Sequence, residues 1–108
     1  MKISDVRHFA LSLPEVTEEP HFQYSSFRIR GKIFATIPPD GEHVHIFVGD
    51  EEREVALATA PEFVEKLFWG KRIAGLRVSL AKAKPKVVTT LLTQAWSRKA
   101  PKKLRKPV

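Results

Sequence analysis

Alternation with a period of two runs through residues 25–37 and restricts this part of the chain to paired strands. Phe27 and Ile29 alternate with two arginines, and the alternation resumes at Ile33. This period is typical of half-buried strands. Gly31, between the two segments, tolerates the positive φ of a tight turn. We therefore predict a β-hairpin over residues 25–37.

A turn signal and a third alternating segment extend this hairpin. Residues 38–41 read Pro-Pro-Asp-Gly, a composition typical of turns. Residues 43–48 then place three aliphatic side chains on one face. Because short loops join antiparallel neighbours, we expect a three-stranded meander.

Helical spacing of apolar residues appears near both ends of the chain. Residues 4–13 predict a first helix, with Ser4 or Asp5 as its cap. The acidic run at residues 15–20 is interpreted as a connector. Pro85 opens a last helix, whose apolar stripe comprises Val87, Val88, Leu91, Leu92, Ala95 and Trp96.

The middle of the chain predicts further helix and one more strand. Asp50 is the expected cap of a helix over residues 51–60. Thr-Ala-Pro-Glu at residues 59–62 has the form of a capping box, which predicts a short helix ending at Gly70. It would bury Phe63, Val64, Leu67 and Phe68. A strand is expected after Gly75, paired with an earlier short strand at residues 71–74.

These elements follow the order α-βββ-α-β(β)-α, which predicts an α+β fold with two layers, an antiparallel sheet with helices on one face. A chain of 108 residues with 43% hydrophobic residues fits one domain with a real core. We place this domain at residues 1–100 and expect residues 101–108 to be a flexible basic tail.

Several function classes find no support in the composition. The chain has no cysteine, which excludes disulfides, thiolate metal sites and cysteine nucleophiles. It has no apolar run long enough to cross a bilayer and no signal-peptide-like start. We expect a cytoplasmic protein with no membrane partner.

Charge divides the chain into two unequal halves. All twelve acidic residues lie between Asp5 and Glu65, whereas thirteen of the nineteen cations follow Glu65 in a stretch without any acid. Such a split points to a negatively charged partner, most often nucleic acid. The candidate contacts are Lys71, Arg72, Arg77, Lys82, Lys84, Lys86, Lys99, Lys102, Lys103, Arg105 and Lys106. For the last four, a solubilising tail without a partner is the alternative.

Three of these lysines surround the start of the predicted last helix, namely Lys82, Lys84 and Lys86. The helix dipole makes a cation there unfavourable, by a few tenths to about 1 kcal/mol at low salt. Unpaired backbone N–H groups beside three lysines would suit a phosphate. The alternative, that these side chains extend into water at little cost, stays open.

Secondary candidates lie on the hairpin and in the aromatic residues. Arg28, Arg30 and Lys32 could contact phosphates if the hairpin acts as a wing, although cations also protect sheet edges from aggregation. Trp69 precedes Lys71 and Arg72 and could stack on a base. We also expect Tyr24 to line a shallow pocket with Trp69.

Several stretches resemble the MmcQ/YjbR-like family of small bacterial proteins. They are residues 10–16 (ALSLPEV), His21-Phe22, residues 26–35 (SFRIRGKIFA), Trp69-Gly70 and Ala95-Trp96. The resemblance covers about residues 6–100. It implies an antiparallel sheet flanked by helices, as in secretion-chaperone and frataxin-like folds. Members are commonly labelled DNA-binding, and the resemblance supplies no catalytic residue.

Catalytic and metal-binding motifs are weak in this sequence. His43 and His45 share a strand face at i, i+2, but a metal site needs further ligands, so two solvent-facing histidines are the favoured interpretation. The serines lack a nucleophile elbow, and no phosphate-binding glycine loop occurs. We therefore predict no enzyme activity, no metal and no cofactor.

The sequence thus predicts a nucleic-acid-binding domain, for duplex DNA with mainly phosphate contacts and little sequence preference. The alternative is a protein-interaction or small-ligand module whose basic end meets an acidic protein or aids solubility.

Overall fold

Six extended segments pair into one antiparallel sheet in the computed structural model, which describes residues 1–105 and the side chains of residues 1–104. The strands are β1 (Val16–His21), β2 (Tyr24–Ile29), β3 (Lys32–Ile37), β4 (His43–Ile46), β5 (Val64–Trp69) and β6 (Arg72–Ser79). Their spatial order is β1-β2-β3-β4-β6-β5. The final hairpin therefore joins the sheet through β6.

Helices cover one face of this sheet. They are α1 (Ile3–Ser12), α2 (Asp50–Thr59), α3 (Pro85–Lys99) and the short α4 (Lys102–Arg105). The long helix α3 packs against β3, β4 and α1. Inward side chains of β4 and β6 join its apolar stripe in one buried cluster, which includes Val44, Ile46, Leu76, Val78, Val88, Leu91 and Leu92. The predicted two-layer α+β fold is confirmed.

The predicted hairpin and last helix have close to their predicted bounds. Arg30 and Gly31 form the β2–β3 turn, with φ values of 50° and 80°. Positive φ at both central residues matches the right-handed twist of the flanking strands. In α3, Pro85 occupies the first helical turn, and the Trp96 indole N–H donates to the carbonyl of Pro14 at 3.1 Å.

The acidic connector predicted at residues 15–20 is wrong, because Val16–His21 forms the edge strand β1. The alternation is hard to recognise because the inward position opposite Phe27 is Glu18. Its carboxylate accepts three hydrogen bonds from Nε and Nη2 of Arg7 in α1, the shortest at 2.7 Å. This ion pair takes the place of an apolar contact and lowers the pKa of Glu18.

The helix predicted to end at Gly70 is also wrong. Residues 64–69 are the edge strand β5, and Gly70 forms the tight turn into β6 with a φ of 62°. Phe63 and Val64 are buried as predicted, but Phe68 is exposed. The separate strand predicted at residues 71–74 is wrong as well, since β6 runs unbroken through Gly75 and pairs with β4 and β5.

Both predicted helix caps shift towards the N-terminus. Lys2 is the N-cap of α1, and Asp5 contributes from inside the first turn, where its carboxylate accepts the backbone N–H of Lys2 at 2.9 Å. Gly49 caps α2, so that Asp50 begins the helix. An acidic residue in the first turn still stabilises each helix through its dipole.

At the C-terminal end, Leu104 of α4 packs against the core. The proposed boundary between a domain at residues 1–100 and a flexible tail stays a prediction, and residues 106–108 lie outside the described part. Within residues 1–105, no helix has the length and apolar character needed to cross a membrane.

Gly75 permits a close approach between β4 and β6. A Cβ atom at this position would lie 2.5 Å from the carbonyl oxygen of Ile46 and 3.1 Å from Cδ1 of Phe47. Such contacts force the neighbouring backbone or ring to move, so only glycine fits without distortion.

We therefore predict that Gly75→Ala lowers the free energy of unfolding by about 1–3 kcal/mol, the usual cost of overpacking. Urea denaturation measures this change. Ser79→Ala, half-buried on the same strand, serves as the control and should change stability by no more than about 0.5 kcal/mol. An unchanged midpoint in Gly75→Ala would contradict the close approach.

Candidate functional site

The sheet face opposite the helices carries a row of polar residues that crosses all six strands. Directly opposed neighbours in this row are, in order, Glu19, Ser26, Thr36, His45, Arg77 and Glu65. Ser26, Thr36 and His45 are buried on this face. Period-two alternation produces the row, since on β2, β3, β4, β5 and β6 each of these residues follows or precedes a core residue, and on β1 Glu19 follows the inward-facing Glu18.

His45 lies at the centre of this row and is only 5% exposed. The solvent-facing position predicted for it is therefore wrong. Arg77 donates to Nε2 of His45 at 3.3 Å, so this nitrogen carries no proton. Burial, with the nearby positive charge of Arg77, lowers the pKa of His45 to about 4. The imidazole is thus neutral at neutral pH.

Arg77 also occupies the space in which a metal ion shared by the two histidines would lie. Its guanidinium lies 3.3 Å from both His45 Nε2 and His43 Nδ1, and 3.5 Å from carboxylate oxygens of Asp40 and Glu65. His43 Nδ1 lies closer to Asp40, at 2.8 Å, and donates to it. Among the described residues, no group of three or more histidine or carboxylate side chains is arranged to hold a metal ion.

A cleft of about 510 Å³ opens over the middle of the polar row. We call it the sheet cleft. Its floor includes Thr36, His45, Phe47 and Arg77, its aromatic wall includes Phe22, Tyr24, Phe68 and Trp69, and its basic end consists of Arg98 and Lys99. The structure thus places Tyr24 and Trp69 in one pocket, as predicted.

Gly75 and Phe47 position the tryptophan of this cleft. Phe47 follows β4 and turns to the open face, where it lies against Gly75. Its ring centroid is 5.4 Å from that of Trp69, with the planes tilted by 55°. Trp69 nevertheless remains 65% exposed. The buried phenyl ring therefore supports the indole and leaves much of it open to a ligand.

The β1–β2 turn supplies a second exposed ring. Phe22 is 92% exposed and has a φ of 58°, in the left-handed region that bulky residues rarely adopt. His21 packs edge-on against it at 4.8 Å. The ring centroid of Tyr24, two residues later, lies 5.9 Å from that of His45. The turn thus presents aromatic side chains beside the floor of the cleft.

Two groups of the predicted cations lie at or beside the sheet cleft. Lys71 and Arg72 are exposed at the β5–β6 turn, and Arg72 is directly opposite Trp69 in the register. At the C-terminal end of α3, Lys99 lines the cleft with Arg98, which lies 3.5 Å from the carbonyl of Phe47. Arg98 was not among the sequence candidates, because nothing in the sequence shows that α3 ends at this cleft.

Lys84 and Lys86 lie elsewhere, in a groove between α2 and α3. Since α3 has fifteen residues, its two ends are roughly 20 Å apart. Glu51 and Glu52 of α2 line the same groove. Their negative charge offers a reason for lysines at this helix start without any phosphate. Lys82, in the preceding loop, lines a smaller pocket together with Glu62 and Glu65.

Two of the three hairpin cations bind other groups of the protein. Arg30 forms an ion pair with Glu15 at 3.0 Å, which lowers the pKa of Glu15. Arg28 donates to the hydroxyl of Ser26 at 2.9 Å. Because β2 lies between β1 and β3, the edge-protecting role considered for these arginines is wrong, and both instead bind groups of the protein itself. Lys32 is exposed.

The remaining candidates are C-terminal. Lys102 and Lys103 are exposed on α4, and Lys103 contributes to the lowered pKa of Glu15. Lys106 and the side chain of Arg105 lie outside the part that the structure describes.

Sequence reasoning missed much of the cleft. Thr36 and Phe47 line it because β3 and β4 place them on the uncovered face. The alternation with core residues predicts that these side chains share one face of the sheet. It does not predict that the neighbouring strands form a cleft on that face.

Comparison with known proteins identifies the family of this chain and a solved structure with a similar fold. A model of the YjbR family matches residues 11–98, which assigns the chain to this family. The fold is similar to the crystal structure of Deinococcus radiodurans protein DR2400, with the family-model domain DUF419, at a TM-score of 0.75 and 18% identity. The alignment covers 97% of this chain and 86% of that one. No curated protein matches the chain.

The neutral state of His45 predicts a pH-dependent stability. The unfolded imidazole has its ordinary pKa of 6.5, whereas the folded one has a pKa of about 4. Between these values only the unfolded chain binds the proton. The stabilising contribution is therefore complete above pH 6.5 and is lost as the pH falls towards 4, by about 1.4 kcal/mol per pH unit.

Chemical denaturation of the wild type and of His45→Gln from pH 4.5 to 7.5 tests this expectation. The wild type should lose more stability towards acid than the variant, because only the wild type carries this titrating group. Parallel pH profiles would contradict the burial of a neutral imidazole.

Proposed function

We propose that the chain, which belongs to the YjbR family, is a nucleic-acid-binding domain that uses the sheet cleft and the cations beside it. Binding relies mainly on phosphate contacts and has little sequence preference. Such contacts serve duplex DNA, the partner that the charge distribution predicts.

The observation that carries this proposal is positive charge without internal compensation. Of the described cations that follow Glu65 in the chain, Arg77 is the one within 4 Å of a carboxylate. The acidic half of the chain instead pairs mostly with its own cations, such as Arg7, Arg30 and Arg53. Within the described residues, no ion pair holds Lys71, Arg72 or Lys99, so these cations are available to an external polyanion.

The positions of these cations favour the sheet cleft over the start of α3. Lys71 and Arg72 are beside Trp69, and Lys99 lies at the basic end of the cleft. Lys84 and Lys86 share their groove with acids. A nucleic-acid strand that follows the cleft would place phosphates near Lys71 and Arg72 and also near Lys99. The aromatic wall would then contact its sugars or bases.

Binding without catalysis is part of the proposal. His45, the buried imidazole of the cleft, accepts a hydrogen bond from Arg77 and is not available as a base. Glu65 and Asp40 face the same guanidinium.

The absence of cysteine suits the reducing cytoplasm of a bacterium, where we place the protein.

A second candidate is a small-ligand or protein-interaction module. The volume of the sheet cleft, about 510 Å³, falls within the range of small-molecule sites, and its rings are typical of such sites. A ligand held by apolar contacts would bind with little dependence on salt, whereas phosphate contacts release counterions. Salt dependence therefore separates the two candidates.

We predict that Lys71→Glu/Arg72→Glu weakens duplex DNA binding strongly and reduces the magnitude of the log K against log salt slope by about 1.8, for two lost phosphate contacts. Fluorescence anisotropy from low to physiological salt measures both quantities. Lys84→Glu/Lys86→Glu changes the net charge equally and is the matched control.

The control double variant should retain most of the affinity, because its lysines lie in the α2–α3 groove. Equal losses in the two variants would show that net charge alone matters and would contradict the site. No binding of the wild type to duplex or single-stranded DNA at low salt would refute the proposed function.

A further inference from the structure

We infer that the sheet cleft receives an unpaired nucleobase, so that the domain prefers single-stranded nucleic acid over duplex. This inference rests on the proposed nucleic-acid binding and adds the form of its partner. The base would stack within the aromatic wall, and phosphates of the same strand would reach Lys71, Arg72 and Lys99.

Exposed aromatic surface concentrates at this cleft. Six large hydrophobic side chains are exposed in the described chain, and four of them line the sheet cleft, namely Phe22, Tyr24, Phe68 and Trp69. Exposed apolar clusters of this kind mark binding sites. Aromatic rings beside cations are the combination that single strands require, since every base has a face for stacking.

The conformation of Phe22 supports a binding role for its ring. A phenylalanine at a φ of 58° is strained, and its side chain gains almost no burial in return. Asparagine would adopt this conformation more easily. Strained residues of this type concentrate at functional sites. We therefore assign the ring at this turn to contact with the partner.

The cleft also suits an unpaired base better than a base pair. Within a duplex, both faces of a base are stacked and its pairing edge is occupied, so the aromatic wall could not reach it. An unpaired base presents a free face to Trp69 and a free edge to the polar floor. Thr36 and Arg77 lie on that floor and can form hydrogen bonds with the edge.

A comparison of the affinities for single-stranded and duplex DNA tests the inference. The probes are single-stranded oligothymidylate and a mixed-sequence duplex of equal length, titrated at the same low salt concentration. We expect the single strand to bind at least about fivefold more tightly, which corresponds to one stacked base. Intrinsic fluorescence should be quenched, because Trp69 is exposed while Trp96 is buried.

Two variants separate stacking from folding. Trp69→Leu should weaken single-strand binding by about fivefold or more and abolish most of the quenching, with a much smaller effect on duplex binding. Phe22→Asn should weaken single-strand binding while thermal stability is kept or increased, because the strain is relieved. Val55→Ala, exposed on α2, is the matched control and should change neither.

The possible failures are distinguishable. If single strand and duplex bind equally well and Trp69→Leu affects neither, the inference is wrong while the proposed nucleic-acid binding stands. If neither probe binds at low salt, both proposals are wrong. Binding of thymidine monophosphate as tight as that of the oligonucleotide would also overturn the inference, in favour of a small-ligand site.

Discussion

Pairing between β4 and β6 is the interaction on which the rest of the structure depends. It joins the four-stranded meander from the acidic half of the chain to the hairpin of the basic half, with Val44 opposite Val78 and Ile46 opposite Leu76. These pairs bury one face under α3. On the other face the same register brings His45 to Arg77. The close approach at Gly75 then leaves room for Phe47 between the two halves.

The uncovered face follows from the same alternation that builds the core. Each strand that points aliphatic residues towards the helices must point its other residues away, and here these form the polar row and the sheet cleft. Tyr24 comes from the meander and Trp69 from the last hairpin, so the cleft exists only when both halves are joined. Fold and candidate site therefore share one cause.

Local patterns predicted the elements that are defined by local contacts. The hairpin at residues 25–37 and the helix after Pro85 emerged from alternation and helical spacing alone. β1 was missed because Glu18 occupies an inward position and is neutralised by Arg7, which is distant in sequence. β5 was missed because Phe63, Val64, Leu67 and Phe68 also fit a helical period, and pairing with β6 decides between the two.

The candidate site was harder to predict for the same reason. Lysines close together in sequence at the start of α3 predicted a phosphate site, yet the acids that share their groove come from α2. Trp69 and Tyr24 were correctly assigned to one pocket, whereas its floor depends on the register of several strands. The sequence identifies the types of residues that contact a polyanion, and only the fold shows which of them lie together.

The central claim is that nucleic acid binds on the uncovered face of the sheet. Chemical-shift mapping of the isotope-labelled protein during titration with oligothymidylate at low salt tests it most directly. We expect the largest changes at the Trp69 indole N–H and at the amides of Thr36, Phe47 and Lys71. Changes centred on Val55, Lys84 and Lys86 would instead place the interface in the α2–α3 groove and contradict the account.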